Sequence, residues 1–233
     1  PDMFVTIQAC EGCSPTEARS RLYRNNGIPS IPIRFLDRTL SDFAGTSTTR
    51  NESLGLSVAD YDSDGDRDVF VTHAESPQLF NLDNGQFTDV IDDTAVFDPA
   101  DTELLQEGYC AVWVDFDHDG DLDLYLGRAA SAFDPHGIRD KAGLLAPRFD
   151  TLFENRGSGA TFLEVGQSVG LVDPTEPGVT MTAAWADMDD DGYWEVAVGG
   201  FGGSGADTRL FEENTDGSFS EVNRAFPASV DPS

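Results

Sequence analysis

One acidic nine-residue stretch recurs three times in this chain, each time between two short apolar runs. DYDSDGDRD spans 60–68, DFDHDGDLD spans 115–123 and DMDDDGYWE spans 187–195. All three fit D-x-D-x-D-G-x-x-[DE]. The runs before them are LGLSVA, CAVWV and TAAWA, and those after them are VFVTH, LYLGR and VAVGG. These runs are short, β-branched or aromatic, and bounded by turn residues, so they read as strands. A strand–loop–strand unit that returns along a chain points to a repeat architecture.

The remainder of the unit recurs as well. A leucine–aromatic pair appears at Leu22-Tyr23, Leu79-Phe80, Leu152-Phe153 and Leu210-Phe211. Asn and Gly follow each pair, which is turn chemistry. Next comes a Phe with an acid two residues later, as in Phe35/Asp37, Phe87/Asp89, Phe162/Glu164 and Phe219/Glu221. Four short antiparallel strands per unit describe a propeller blade. The expectation is an all-β fold, a β-propeller segment of about four blades with the first incomplete. Its approximate bounds are 1–50 (partial), 51–106, 107–178 and 179–226, with a tail at 227–233. DMFVT at 2–6 aligns with DVFVT at 68–72, so Asp2 stands at the last position of an acidic loop whose other residues are missing. The segment is then part of a larger ring, or another chain supplies the remainder. The longest insert is 127–150, and the glycine-rich GGFGGSGAD at 199–207 reads as a flexible loop.

The spacing of the acids fits a hard cation. Ca²⁺ takes about 6–8 oxygen ligands, and a short loop supplies them when alternate side chains point inward. Positions 1, 3 and 5 do so. Glycine at position 6 permits the sharp turn. Position 7 offers its main-chain oxygen, which tolerates Tyr193 there, and position 9 closes the site with a carboxylate. In that division the side chains of Asp66, Asp121 and Asp190 stay outside the ligand set. Without a cation, each close pair of acids costs on the order of 1 kcal/mol or more. An EF-hand is excluded because its twelfth position is here Val71, Leu126 or Val198, inside an apolar strand. Dockerin-type loops lead into helices, and thrombospondin-type acidic repeats run back to back, so neither fits the flanks.

GLSVADYDSDGDRDVFVT, AVWVDFDHDGDLDLYLG and AAWADMDDDGYWEVAVGG, together with LYRNNG and FTDV, resemble FG-GAP/VCBS repeats. These are the calcium-loop blades of integrin α-subunit propellers and of many bacterial extracellular proteins. The resemblance implies three Ca²⁺ sites. Their ligands would be Asp60, Asp62, Asp64, Asp66 and Asp68; Asp115, Asp117, Asp119, Asp121 and Asp123; and Asp187, Asp189, Asp191, Tyr193 and Glu195. Asp2 would be the remnant of a fourth.

The chain carries 43 acidic against 14 basic residues, a net charge of −29. Such a surface repels nucleic acid and anionic lipid. No apolar run approaches the roughly 20 residues of a membrane-spanning helix, so no membrane insertion is expected. External calcium concentrations suit exposed loops of this kind. The expected setting is therefore secreted, extracellular or cell-surface, with the periplasm as an alternative. The expected role is a non-enzymatic, calcium-stabilised adhesion, recognition or assembly module that takes a protein or glycan ligand. The alternatives are a structural subunit of a surface filament or multi-protein complex, and the propeller domain of a secreted hydrolase. His73, His118 and His136 have no nucleophile or ligand partner at a recognised spacing, and His118 is expected to face solvent. Trp113 and Trp185, two residues before their loops, read as inter-blade core, whereas Trp194 reads as partly exposed and a sugar platform in the alternative. Cys10 and Cys13 form a CxxC without a second half, consistent with a local disulfide or two free thiols. Cys110 reads as a buried small hydrophobe.

Overall fold

The computed structural model describes residues 3–5, 21–25, 35–38, 42–43, 53–73, 77–92, 108–128, 149–157, 161–172, 178–202 and 205–222. Fifteen strands among them form four antiparallel sheets. The first sheet holds β1 (Met3–Val5), β2 (Arg21–Asn25) and β3 (Phe35–Asp37). The second holds β4 (Ser53–Ala59), β5 (Asp68–His73), β6 (Gln78–Asp83) and β7 (Gln86–Asp89). The third holds β8 (Gly108–Val114), β9 (Asp123–Arg128), β10 (Thr151–Asn155) and β11 (Phe162–Glu164). The fourth holds β12 (Gly178–Ala186), β13 (Glu195–Gly202), β14 (Gly205–Glu213) and β15 (Phe219–Glu221). Each sheet is a meander in chain order, the blade of a β-propeller. In the first sheet Phe4 pairs with Leu22, in the register that Phe70 and Leu79 adopt in the second. Its three strands are thus the second, third and fourth of the unit.

Two-sided burial stacks the sheets. All six residues of β5 and of β9 are buried. Because side chains alternate between faces, Val69 and Val71 pack with Leu22, Phe43, Phe80 and Phe87 on one side. Phe70 packs with Tyr61, Leu79 and the next blade's Leu124, Leu126, Phe153 and Phe162 on the other. The same switch recurs at Tyr125, which joins Leu152 to Val196, Val198, Phe211 and Phe219 of the fourth blade. Trp113 and Trp185 pack against these two clusters. Burying each such large apolar side chain contributes about 1.5–3 kcal/mol.

Three β-bulges lie at one position of the unit. The register shifts between Ser53 and Gly55, between Gly108 and Cys110, and between Thr180 and Thr182. The extra residues Leu54, Tyr109 and Met181 share no residue type, so sequence offers no signal for them. A bulge tightens the local twist, and it lies in β4, β8 and β12, where β8 packs beside both of the others. Cys110 is half-buried there, and burial pushes its thiol up to about 11.

The glycine-rich stretch at 199–207 is not a loop throughout. Residues 199–202 close β13 and 205–207 open β14, with Gly200 opposite Asp207 and Gly202 opposite Gly205. A Cβ on Gly200 would sit 1.7 Å from the Val179 carbonyl oxygen, so close approach of the β12 backbone on the other side of β13 accounts for the glycine.

Blade contact is equally close at Gly55, where an added Cβ would lie 2.6 Å from the Tyr109 carbonyl oxygen of the following blade. Backbone cannot swing aside as a side chain can. Gly55→Ala is expected to lower stability by about 1–3 kcal/mol, the usual cost of overpacking, in urea denaturation. An unchanged midpoint would show that β4 and β8 do not meet this tightly.

Candidate metal centres

Each acidic loop bridges the first two strands of a blade, and the three share one register. Ala59 pairs with Asp68, Val114 with Asp123 and Ala186 with Glu195. Position 9 is therefore also the first residue of the second strand. The backbone repeats too. Position 4 is left-handed at Ser63, His118 and Asp190 (φ 58°, 61° and 61°), and position 6 at Gly65, Gly120 and Gly192 (φ 96°, 98° and 92°). The glycine turn was legible in the sequence. The strain at position 4 was not, since histidine and aspartate are enriched in that region but serine is not, and the three share no residue type.

The turn gathers the acids. One oxygen each from Asp60, Asp62 and Asp68 lies within 4.8 Å of the others, and the same holds for Asp115, Asp117 and Asp123 and for Asp187, Asp189 and Glu195. Positions 1, 3 and 9 thus converge. Position 1 accepts the glycine N–H at 3.0, 3.1 and 2.9 Å in the three loops. Position 5, namely Asp64, Asp119 and Asp191, accepts the N–H of position 7 at 2.8, 2.9 and 2.9 Å, which orients Asp66, Asp121 and Tyr193. Asp2, Cys10, Cys13 and His136 lie outside the described residues.

The position 9 carboxylates also bind the hairpin together. Asp68 accepts from the main-chain N–H of Tyr61 at 3.3 Å and of Leu82 at 2.8 Å. Asp123 accepts from Phe116 at 2.9 Å and Asn155 at 2.8 Å. Glu195, one methylene longer, accepts from Met188. Burial pushes Asp68 and Asp123 up to about 7, and neighbouring acids push the same way while the N–H donors oppose them. Burial likewise raises Asp62 and Asp117, with Asp64 and Asp119 adding repulsion.

Two oxygens bear on what the loops could hold. Oδ1 of Asp60 and Oδ1 of Asp115 are buried with no hydrogen-bond partner. A buried acceptor left unsatisfied costs about 1–3 kcal/mol, more when charged. Both belong to acids whose other oxygen already holds the turn. A hard cation among the converging carboxylates would satisfy them, and the all-oxygen donor set suits Ca²⁺, Mg²⁺ or Mn²⁺.

His118 is exposed, as expected, and also meets the next blade: its ring stacks on Trp194 of the fourth blade (centroids 5.9 Å apart, planes 3° apart), and Nε2 lies 3.2 Å from Glu213 Oε2. Trp194 donates Nε1–H to the Asp115 carbonyl at 2.8 Å and its own N–H to Glu213 at 2.9 Å. Its ring lies against the neighbouring loop. His73 is buried at the end of β5, with Ser53 Oγ 3.4 Å from Nδ1.

The raised carboxyls set the pH dependence of the metal-free protein. A folded-state value near 7 against an ordinary value near 3.8 means that the folded state binds the extra protons between those limits. Stability then falls as pH rises through that window. In chelator, the melting temperature is expected to rise from pH 7.5 to pH 5.5. Asp68→Asn with Asp123→Asn should flatten that rise. A double variant with the wild-type slope would remove these two groups as its cause.

No curated protein matched the chain. Residues 60–126, from the first acidic loop into the strand after the second, match the family model of the FG-GAP-like repeat.

Proposed function

We propose that the chain is a calcium-stabilised, non-enzymatic propeller module that works outside the cytosol in adhesion, recognition or assembly. The observation that carries this reading is the pair of orphaned, buried oxygens on Asp60 and Asp115, two acids that belong to clusters of converging carboxylates. Asp60, Asp62 and Asp68, then Asp115, Asp117 and Asp123, then Asp187, Asp189 and Glu195 would hold the ions. Asp64, Asp119 and Asp191 fix the turn beside them. The ion supplies positive charge where ionised acids at this separation repel by about 3 kcal/mol per pair at an effective dielectric of about 20. Loops of this type carrying weak extracellular sites fill only where calcium is abundant. FG-GAP-like repeats are at home in extracellular and surface proteins, which favours the same setting.

An assembly role draws support from Met188. Position 2 of the loop is Tyr61 and Phe116 in the preceding blades, 3% and 4% exposed because the following blade covers them. Met188 is 55% exposed on the fourth blade. A further blade or a partner surface would cover it in the same way.

Calcium titration tests the reading. Each site adds about 2.7 kcal/mol at a hundredfold excess over its dissociation constant. For a chain of this size that corresponds to roughly 5–10 °C per site. Asp115→Ala with Asp117→Ala should remove one increment and one equivalent of bound calcium by calorimetry. A melting curve indifferent to both calcium and chelator would overturn the metal assignment. A mass in calcium well above the 25.2 kDa of one chain would favour the filament or complex subunit.

A further inference from the structure

The interfaces between consecutive blades are built alike, and position 8 of the loop distinguishes two of them. Between the third and fourth blades this residue is Trp194, whose indole lies across the preceding loop, stacks on His118 and donates to the Asp115 carbonyl at 2.8 Å. One blade earlier, position 8 is Leu122, and Asp60 and Ser63 stand where Asp115 and His118 stand. Leu122 has no ring to lay across that loop. In its place is a cavity of about 480 Å³, lined by Val58, Ala59, Asp60, Gly65, Trp113 and Leu122, with Arg67 completing the wall.

We infer that this cavity between the second and third blades is a binding site for a flat aromatic ring carrying an N–H donor, an indole above all, with the Asp60 main-chain carbonyl as its acceptor. Small-molecule sites span roughly 300–1,000 Å³, so the volume accommodates a bicyclic ring. Val58, Ala59 and Leu122 offer apolar walls, and Trp113 offers an aromatic one, against which a ring packs edge-on or offset. The protein's own Trp194 shows the ring and the hydrogen bond that this loop geometry accepts. The inference rests on the comparison of two interfaces within one chain and does not depend on which ion fills the loops.

The test is titration of calcium-saturated protein with indole, followed by two-dimensional NMR. In the wild type, shifts centred on the Trp113 indole N–H and the Leu122 amide are expected. Leu122→Trp fills the cavity from within and should weaken binding roughly tenfold or more, equivalent to about 1.4 kcal/mol. Trp194→Leu opens the corresponding space one blade on and should bind a second indole. N-acetyl-tryptophanamide separates two sources of the ring. Comparable binding identifies a tryptophan presented by a partner chain, and binding of indole alone identifies a free small molecule; both support the site. Wild-type shifts that are absent or centred elsewhere overturn it, as does a folded Leu122→Trp protein that binds indole as well as the wild type. Should Leu122→Trp fail to fold, the wild-type shift map decides alone.

Discussion

Repulsion among acids crowded at a hairpin bend is the constraint from which the rest of the blade follows. A loop that brings three carboxylate oxygens within 4.8 Å of one another is costly wherever they are all ionised. The chain recruits main-chain N–H groups at positions 2, 5, 6 and 7 to hold the acids in place. What those donors leave over is concentrated on Asp60 Oδ1 and Asp115 Oδ1. Protonation near neutral pH and a divalent cation are alternative answers to the same repulsion, and a proton satisfies only one oxygen where an ion answers the whole cluster.

The position 9 acid makes the bend and the sheet a single unit. Asp68 and Asp123 reach the loop through position 2 and the third strand through Leu82 and Asn155. Asn155 extends the chain of contacts further. Its side-chain amide donates to the Tyr61 carbonyl of the previous blade's loop at 3.0 Å. Position 2 in turn buries Tyr61 among Phe70, Leu79 and Phe162 at the blade interface. The electrostatics of a loop therefore bear on how two neighbouring blades pack, which is why stability, and not only ion affinity, is the natural readout of these sites.

The strands, the turn glycines and the converging acids were legible because each depends on residue types at fixed local spacing. Val69, Phe70 and Val71 announce a strand buried on both faces, and D-x-D-x-D-G announces its bend. What escaped depends on neighbours that spacing cannot name. The bulges at Leu54, Tyr109 and Met181 arise where three first strands pack side by side. His118 meets Trp194 across 76 positions only because the third and fourth blades stack. The glycines at 199–202 misled because the same residue type that frees a loop also lets two backbones touch, as Gly200 and Val179 do.

The third loop shows how the unit varies without changing its fold. Glu195 is 7% exposed where Asp68 and Asp123 are 1%, and its reach differs by a methylene. Here Glu213 takes over the bond between loop and third strand, accepting the Trp194 N–H while Glu213 N–H donates back to the Trp194 carbonyl at 2.9 Å. Asp187 and Asp189 are both exposed, so water already solvates much of their charge. A cation would relieve most repulsion where burial is deepest, and that is in the first two loops. The same repeat thus accommodates a tryptophan latch at its third loop, and the interface with the latch is the one in which an indole lies across the preceding loop.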